Sequence, residues 1–239
     1  MSYFNIVAET SENTVVTEYE PVKRRSDSYQ SEAELEQEFI RMLCEQGYEY
    51  LPLHTERDMI NNLRERLQEL NNYEFTDKEW TYFFNNDIAN PNFSLQDKTR
   101  NIQEDYRKVL KRDDGSTKNI SLIDKTNIHN NRLQVINQYV MGLQDGAKHD
   151  NRYDVTVLVN GLPLVHVELK RRGVQIREAF NQINRYKRDS FWAGSGLFEY
   201  VQIFVISNGT NTKYYSNSTR DNAIRDAKAG NTKRGKTSN

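Results

Sequence analysis

Two carboxylates and a lysine are concentrated in one short stretch of this chain. Residues 153–170 read Tyr-Asp-Val-Thr-Val-Leu-Val-Asn-Gly-Leu-Pro-Leu-Val-His-Val-Glu-Leu-Lys, two apolar strands around a tight turn. Asp154 enters the first strand, and Glu168-Leu169-Lys170 closes the second. Side chains alternate along a strand, so Glu168 and Lys170 share one face while Leu169 takes the other. Carboxylate oxygens are donors that a hard divalent cation accepts. An ammonium held beside them can stabilise negative charge developing on a substrate.

Whether the two carboxylates can meet depends on the turn. A two-residue turn at Asn160-Gly161 sets Asp154 opposite Val167 and leaves Glu168 on the other face. A three-residue turn, or a two-residue turn with a compensating bulge, sets Asp154 opposite Glu168. Pro163, which has no amide hydrogen for the ladder, fits a residue displaced from it. As a bare pattern, the same residues also fit a surface salt bridge between Glu168 and Lys170 on an ordinary hairpin.

The elements around the hairpin are legible in part. Residues 1–25 read as an extended arm of a strand or two, ending in Lys23-Arg24-Arg25. Ser31-Glu32-Ala33-Glu34 has the capping-box form, with Leu35, Phe39, Ile40 and Leu43 following at helical spacing to Gly47. A second helix is expected from Met59 to Leu70. A third, begun by Thr76-Asp77-Lys78-Glu79, carries Trp80, Phe83 and Phe84 into the core and stops at Asn90-Pro91. The stretch from Leu95 to Val109 is ambiguous, and Asp113 to Ser116 is a turn. Strands are expected at 120–123 and 133–139, with a polar turn at Asn130-Asn131 between them. After the hairpin come a helix from Val174 to about Asp189, with Ile176, Phe180 and Ile183 inward, a buried strand at 201–206, and a partner strand at 213–216. The tail beyond Thr219, with 6 basic and 2 acidic residues, is expected to be disordered.

At 239 residues, with 36% hydrophobic and 28% charged side chains, the composition is that of a soluble globular protein. No apolar run reaches the roughly 18 residues of a membrane span, and the N-terminus lacks a signal-peptide layout. The cytoplasm is therefore the expected compartment. The single cysteine, Cys44, excludes an internal disulfide, and its place among apolar helix positions predicts a buried, reduced thiol. The net charge of -1 conceals an asymmetry. The first 60 residues hold 13 acidic and 5 basic side chains, and the rest hold 21 and 28. A positive field around the hairpin suits a polyanionic substrate.

The spacing of Asp154 and Glu168-Leu169-Lys170 resembles the PD-(D/E)xK nuclease motif. Phosphodiester hydrolysis of that kind uses Mg²⁺, which takes one or two protein carboxylates and keeps several waters. Asp154 and Glu168 would be those carboxylates, with the Leu169 carbonyl as another ligand. Lys170 would orient or help to deprotonate the attacking water. Gln182 and Tyr186 have the Gln-x-x-x-Tyr form that follows Glu-x-Lys in one branch of these nucleases, where it lines the DNA path. The same helix and its approach carry Arg171, Arg172, Arg177, Arg185, Lys187 and Arg188, suited to phosphate contacts without sequence specificity.

Longer matches make the resemblance specific. The runs 151–165, 168–170, 177–183 and 205–210 are similar to the N-terminal endonuclease domain of the type I restriction enzyme R subunit (HsdR family), and a weaker similarity extends from Asp27 to about Tyr215. The resemblance implies an α/β restriction-endonuclease-like fold over 26–219, a central mixed β-sheet flanked by α-helices. It further implies Mg²⁺-dependent cleavage of double-stranded DNA, association with the methyltransferase and specificity subunits of a type I complex, and a Glu from the first helix at the site. Glu32 and Glu36 are the candidates for that Glu. ATP belongs to the motor lobes of full-length relatives, which these 239 residues do not contain, so a fragment or a truncated subunit is expected. Gly230 to Thr237 satisfies the P-loop pattern, but no strand is read before it and no helix after it, so no ATP site is expected there. A non-catalytic docking module and a DNA-repair nuclease are the alternative readings.

Overall fold

Four helices of this protein begin with the same device. Ser31 caps α1 (Glu32–Glu45): its hydroxyl accepts from the Glu34 amide, and the Glu34 carboxylate accepts from the Ser31 amide. The exchange recurs at Thr55 and Asp58 for α2 (Glu56–Asn71), Thr76 and Glu79 for α3 (Asp77–Phe83), and Ser94 and Asp97 for α4 (Leu95–Gln103). Helix α2 thus starts three residues before Met59, because the cap and not the first apolar residue sets its origin. Helix α3 widens into a π turn over Phe84–Ile88 before Asn90-Pro91. The computed structural model describes residues 3–9, 15–20, 30–147 and 150–217. The basic tail and its P-loop pattern lie outside the described residues, as do Lys23-Arg24-Arg25 and the side chains of Phe180, Lys187 and Arg188.

In the N-terminal arm, β1 (Tyr3–Glu9) and β2 (Val15–Glu20) form an antiparallel pair. The main sheet contains β3 (Glu49–Tyr50), β6 (Leu133–Met141), β7 (Asn151–Val159), β8 (Leu162–Leu169), β9 (Ile203–Ser207) and β10 (Thr212–Ser216), in the order β10-β9-β8-β7-β6-β3. Strands β6 to β8 form an antiparallel meander, while β8 and β9 are parallel and are joined through helix α5 (Ile176–Asp189). The strand expected at 120–123 lies elsewhere. It is β5 (Thr117–Ser121), paired only with β4 (Arg107–Lys111) across the 113–116 turn. Between β5 and β6, side-chain hydrogen bonds from Asp124, Asn127 and Asn131 fold the segment on itself.

Helices cover both faces of the sheet. A large cluster joins Met59, Leu63 and Leu67 of α2, Trp80 and Phe83 of α3, Ile183 and Tyr186 of α5, and sheet residues such as Ile136, Tyr139, Tyr153, Leu158 and Phe204. Trp80, Phe83 and Phe84 are therefore core, as their spacing predicts. A small cluster of Val135, Val155, Val167 and Leu169 is covered by Leu35, Phe39, Ile40 and Leu43 of α1. This mixed sheet between helices is the expected fold class. Cys44 corrects an expectation: it is exposed, because it lies roughly 100° around α1 from Leu43, off the stripe that meets the sheet. Among the described residues no helix is long and apolar enough to cross a membrane.

Side-chain alternation in β6 and β7 breaks at one shared rung. Ile136 and Tyr139 lie in the same cluster although three residues apart, whereas Tyr153 and Val155, two apart, lie in different ones. Between the paired rungs Asn137–Val155 and Tyr139–Tyr153, the rung of Gln138 and Asp154 drops out of the ladder. Gln138 has φ +52°, in the left-handed region.

Candidate active site

The turn at the end of β7 determines whether Asp154 meets Glu168. Val159 pairs with Leu162, so the turn has two residues, Asn160 and Gly161, both at positive φ as this tight hairpin turn requires. Leu158 then pairs with Pro163 and Val157 with Val165, leaving Leu164 as an extra residue. That bulge moves the register by one, so Val155 faces Val167 and Asp154 is carried opposite Glu168. Of the two arrangements that could bring the carboxylates together, this is the two-residue turn with its compensating bulge.

The side chains then interlock. The Leu169 amide donates to Asp154 Oδ2 at 2.9 Å. Lys170 Nζ donates to Glu168 Oε1 and to the Leu169 carbonyl, both at 3.1 Å. Glu168 is 0% exposed, and its Oε2 has no hydrogen-bond partner. The nearby His166 Nε2, 3.5 Å away, is also unpartnered. Burial holds His166 neutral, lowering its pKa to about 4, so this contact is not an ion pair.

Both carboxylates resist ionisation. Burial is the main cause for each and raises each to about 7. The charge of Glu168 adds to the effect on Asp154, while Lys170 partly offsets it at Glu168. A cation would relieve both. The oxygens assigned to a metal from sequence are those of Asp154, Glu168 and the Leu169 carbonyl. Two of them already converge on one cationic group, Lys170 Nζ, and Glu168 keeps a buried free oxygen. Among the described residues no group of three or more His, Cys, Asp or Glu side chains could hold a metal ion. The donor set is thus two carboxylates and a carbonyl, which fits an ion that retains waters, as Mg²⁺ does, rather than one needing an all-protein cage.

The remaining predicted residues divide between this cluster and its flank. Glu32 and Glu36, one turn apart on α1, go to different places. Glu32 Oε1 accepts from the Arg171 amide at 3.3 Å, and its Oε2 lies 3.8 Å from Lys170 Nζ. Glu36, 7% exposed, accepts from the side-chain amides of Asn137 and Gln138, and Asp154 and Arg152 are the charges that act on it. Gln182 donates to the Tyr186 hydroxyl, which donates to the Arg152 carbonyl at 2.6 Å. Tyr186 is 1% exposed, so it braces the strand beside Asp154 from within the core. Arg171, Arg172, Arg177 and Arg185 are exposed, with Arg185 over the Tyr186 ring at 5.4 Å. Asn137 and Gln138 have no forewarning in sequence, since an amide in a strand is ordinary and no residue pattern announces left-handed backbone at a glutamine.

Residues 29–223 match the family described as type I restriction enzyme R protein N terminus. The endonuclease subunit of type I restriction enzyme EcoprrI from Escherichia coli is 48% identical over 215 residues, 90% of this chain and 67% of that protein. The endonuclease subunit of SsaAORF53P from Staphylococcus saprophyticus is 41% identical over 199 residues, 80% of this chain. A putative MjaIXP endonuclease subunit from Methanocaldococcus jannaschii is 28% identical over 137 residues, 54% of this chain. The chain spans 20% of the length of the Staphylococcus saprophyticus relative and 12% of the archaeal one.

Proposed function

This chain belongs to the family of type I restriction enzyme R protein N termini, and on that premise we propose that it is the DNA-cleaving module of such an R subunit. The observation that carries the reading is the convergence of Asp154, Glu168 and Lys170 at the end of one bulged hairpin. Asp154, Glu168 and the Leu169 carbonyl would hold Mg²⁺, which when bound supplies a polarised water and neutralises charge on the phosphate. Lys170, on a flexible stem, orients the attacking water and helps to deprotonate it by stabilising the hydroxide that forms as the proton passes to solvent water. The Leu169 amide keeps the Asp154 carboxylate in place. Arg171, Arg172 and Arg185 hold the duplex by its phosphates, so target choice falls to methyltransferase and specificity partners.

The test is nicking of supercoiled plasmid with and without Mg²⁺ by the wild-type chain, Asp154→Ala and Lys170→Ala. Loss in both variants by at least a hundredfold is expected; wild-type rates in both would refute the assignment. A non-catalytic docking role has one observation in its favour, the occupation of Glu168 Oε1 and the Leu169 carbonyl by Lys170. Equal DNA affinity with and without Mg²⁺, with no cleavage when partner subunits are supplied, would select that role.

A further inference from the structure

We infer that Gln138 is a positioning residue: its left-handed backbone turns its amide to the side already occupied by that of Asn137, so that two successive amides hold the Glu36 carboxylate beside Asp154. Successive strand residues ordinarily point to opposite faces. Here both reach one acid, Asn137 Nδ2 to Glu36 Oε1 and Gln138 Nε2 to Glu36 Oε2. The device that permits it is φ +52° at Gln138, a conformation that disfavours any residue but glycine and, less strongly, asparagine.

The location of the kink argues for use rather than accident. The missing rung of the β6–β7 ladder is the one that contains Asp154. Glu36 is buried there with Asp154 and Arg152 acting on it. Backbone strain of this kind persists where surrounding structure enforces it, and it gathers at working sites. An edge kink serving only to interrupt pairing would need no particular side chain. The amide is what distinguishes the two, because only it touches Glu36. Tyr50 supports the same assembly from β3, its hydroxyl donating to Asn137 Oδ1 at 2.9 Å and so fixing which end of that amide meets Glu36.

This inference rests on the proposed metal-dependent function, and the experiment separates the two. Mn²⁺, a paramagnetic substitute for Mg²⁺, is titrated into the full chain and its binding followed by electron paramagnetic resonance. The proteins compared are wild type, Gln138→Gly, Glu36→Ala, the double variant and Asp154→Ala, each checked for folding by circular dichroism. Gln138→Gly relaxes the backbone while deleting the amide. It and Glu36→Ala are each expected to weaken Mn²⁺ binding about tenfold, as loss of a group supporting metal ligands does. The double variant is expected to lose no more than either single change, because Gln138 acts through Glu36. Wild-type affinity in Gln138→Gly, or losses that multiply to about a hundredfold in the double variant, would overturn the inference. If Gln138→Gly fails to fold, Gln138→Asn, which tolerates left-handed backbone but is one methylene shorter, is judged by the same criteria. Undiminished binding in Asp154→Ala would overturn the proposed function itself; loss there with none in Gln138→Gly overturns only the role of Gln138.

Discussion

A carboxylate buried beside another carboxylate keeps its proton well above the pH at which an exposed one releases it, and that makes Asp154 and Glu168 a measurable pair. The folded chain holds protons on them up to about pH 7, whereas the unfolded chain releases them near pH 4. The metal-free fold therefore loses stability as pH rises from about 4 through about 7, and the pair takes away no more above that. His166 acts in the opposite sense between about 4 and 6.5, because burial lowers its pKa. The comparison that isolates the pair is wild type against Asp154→Asn/Glu168→Gln, melted in chelator from pH 5 to 8. The double variant should show a distinctly less downward trend in melting temperature; parallel curves would mean that the pair does not titrate as the geometry demands. At this scale the identities of Asp154, Glu168 and Lys170 were legible in sequence, since residue type and spacing are local. The split of Glu32 toward Lys170 and Glu36 toward Asp154 was not, because it depends on how α1 crosses the sheet.

Among the elements, the hairpin turn is where local chemistry and packing coincide. Gly161, at φ +84°, supplies the turn, and a Cβ built there would lie 2.6 Å from Leu63 Cα, in the backbone of α2. Gly115, at φ +83° in the β4–β5 turn, has nothing within 4 Å of the same added atom. Gly115→Ala should therefore cost only the conformational term, about 1 kcal/mol. Gly161→Ala adds overpacking against a helix backbone and should cost about 3 kcal/mol. Urea denaturation of the two variants measures the difference; equal losses would show that α2 yields at this contact. Sequence revealed Ser31 and Thr76 as caps because Glu follows at the third position. It concealed Thr55 and Ser94, where the shorter Asp does the same work. The pairing of β5 was hidden for another reason. A strand declares its period in sequence but not its neighbour, and the 113–116 turn delivered β5 to β4 rather than to the main sheet.

For the molecule as a whole, the exposed arginines on the approach to α5 and along it predict how DNA binding responds to salt. Affinity for duplex DNA should fall linearly on a log–log plot against salt concentration. Replacing Arg171, Arg172 or Arg185 with Ala should each lower the slope by about one, equally for unrelated sequences. Fluorescence anisotropy from about 50 to 200 mM salt checks this, and a slope unchanged in all three variants would move the DNA path elsewhere. The same helix shows the limit of motif reading. Gln182 and Tyr186 were expected along that path, yet Tyr186 is buried with its hydroxyl held by Gln182 and bonded to the Arg152 carbonyl, where it steadies β7. Sequence alone determined the origins of α1 and α3 and the three residues proposed for the chemistry, because caps and motif spacing are properties of neighbours along the chain, and the family resemblance of its longer runs implied the class of fold. Only the tertiary structure decided that a bulge at Leu164 brings Asp154 opposite Glu168, and that a left-handed glutamine on the next strand holds Glu36. A single displaced residue reverses which face every later side chain takes, and the packing of the whole sheet selects where that displacement falls.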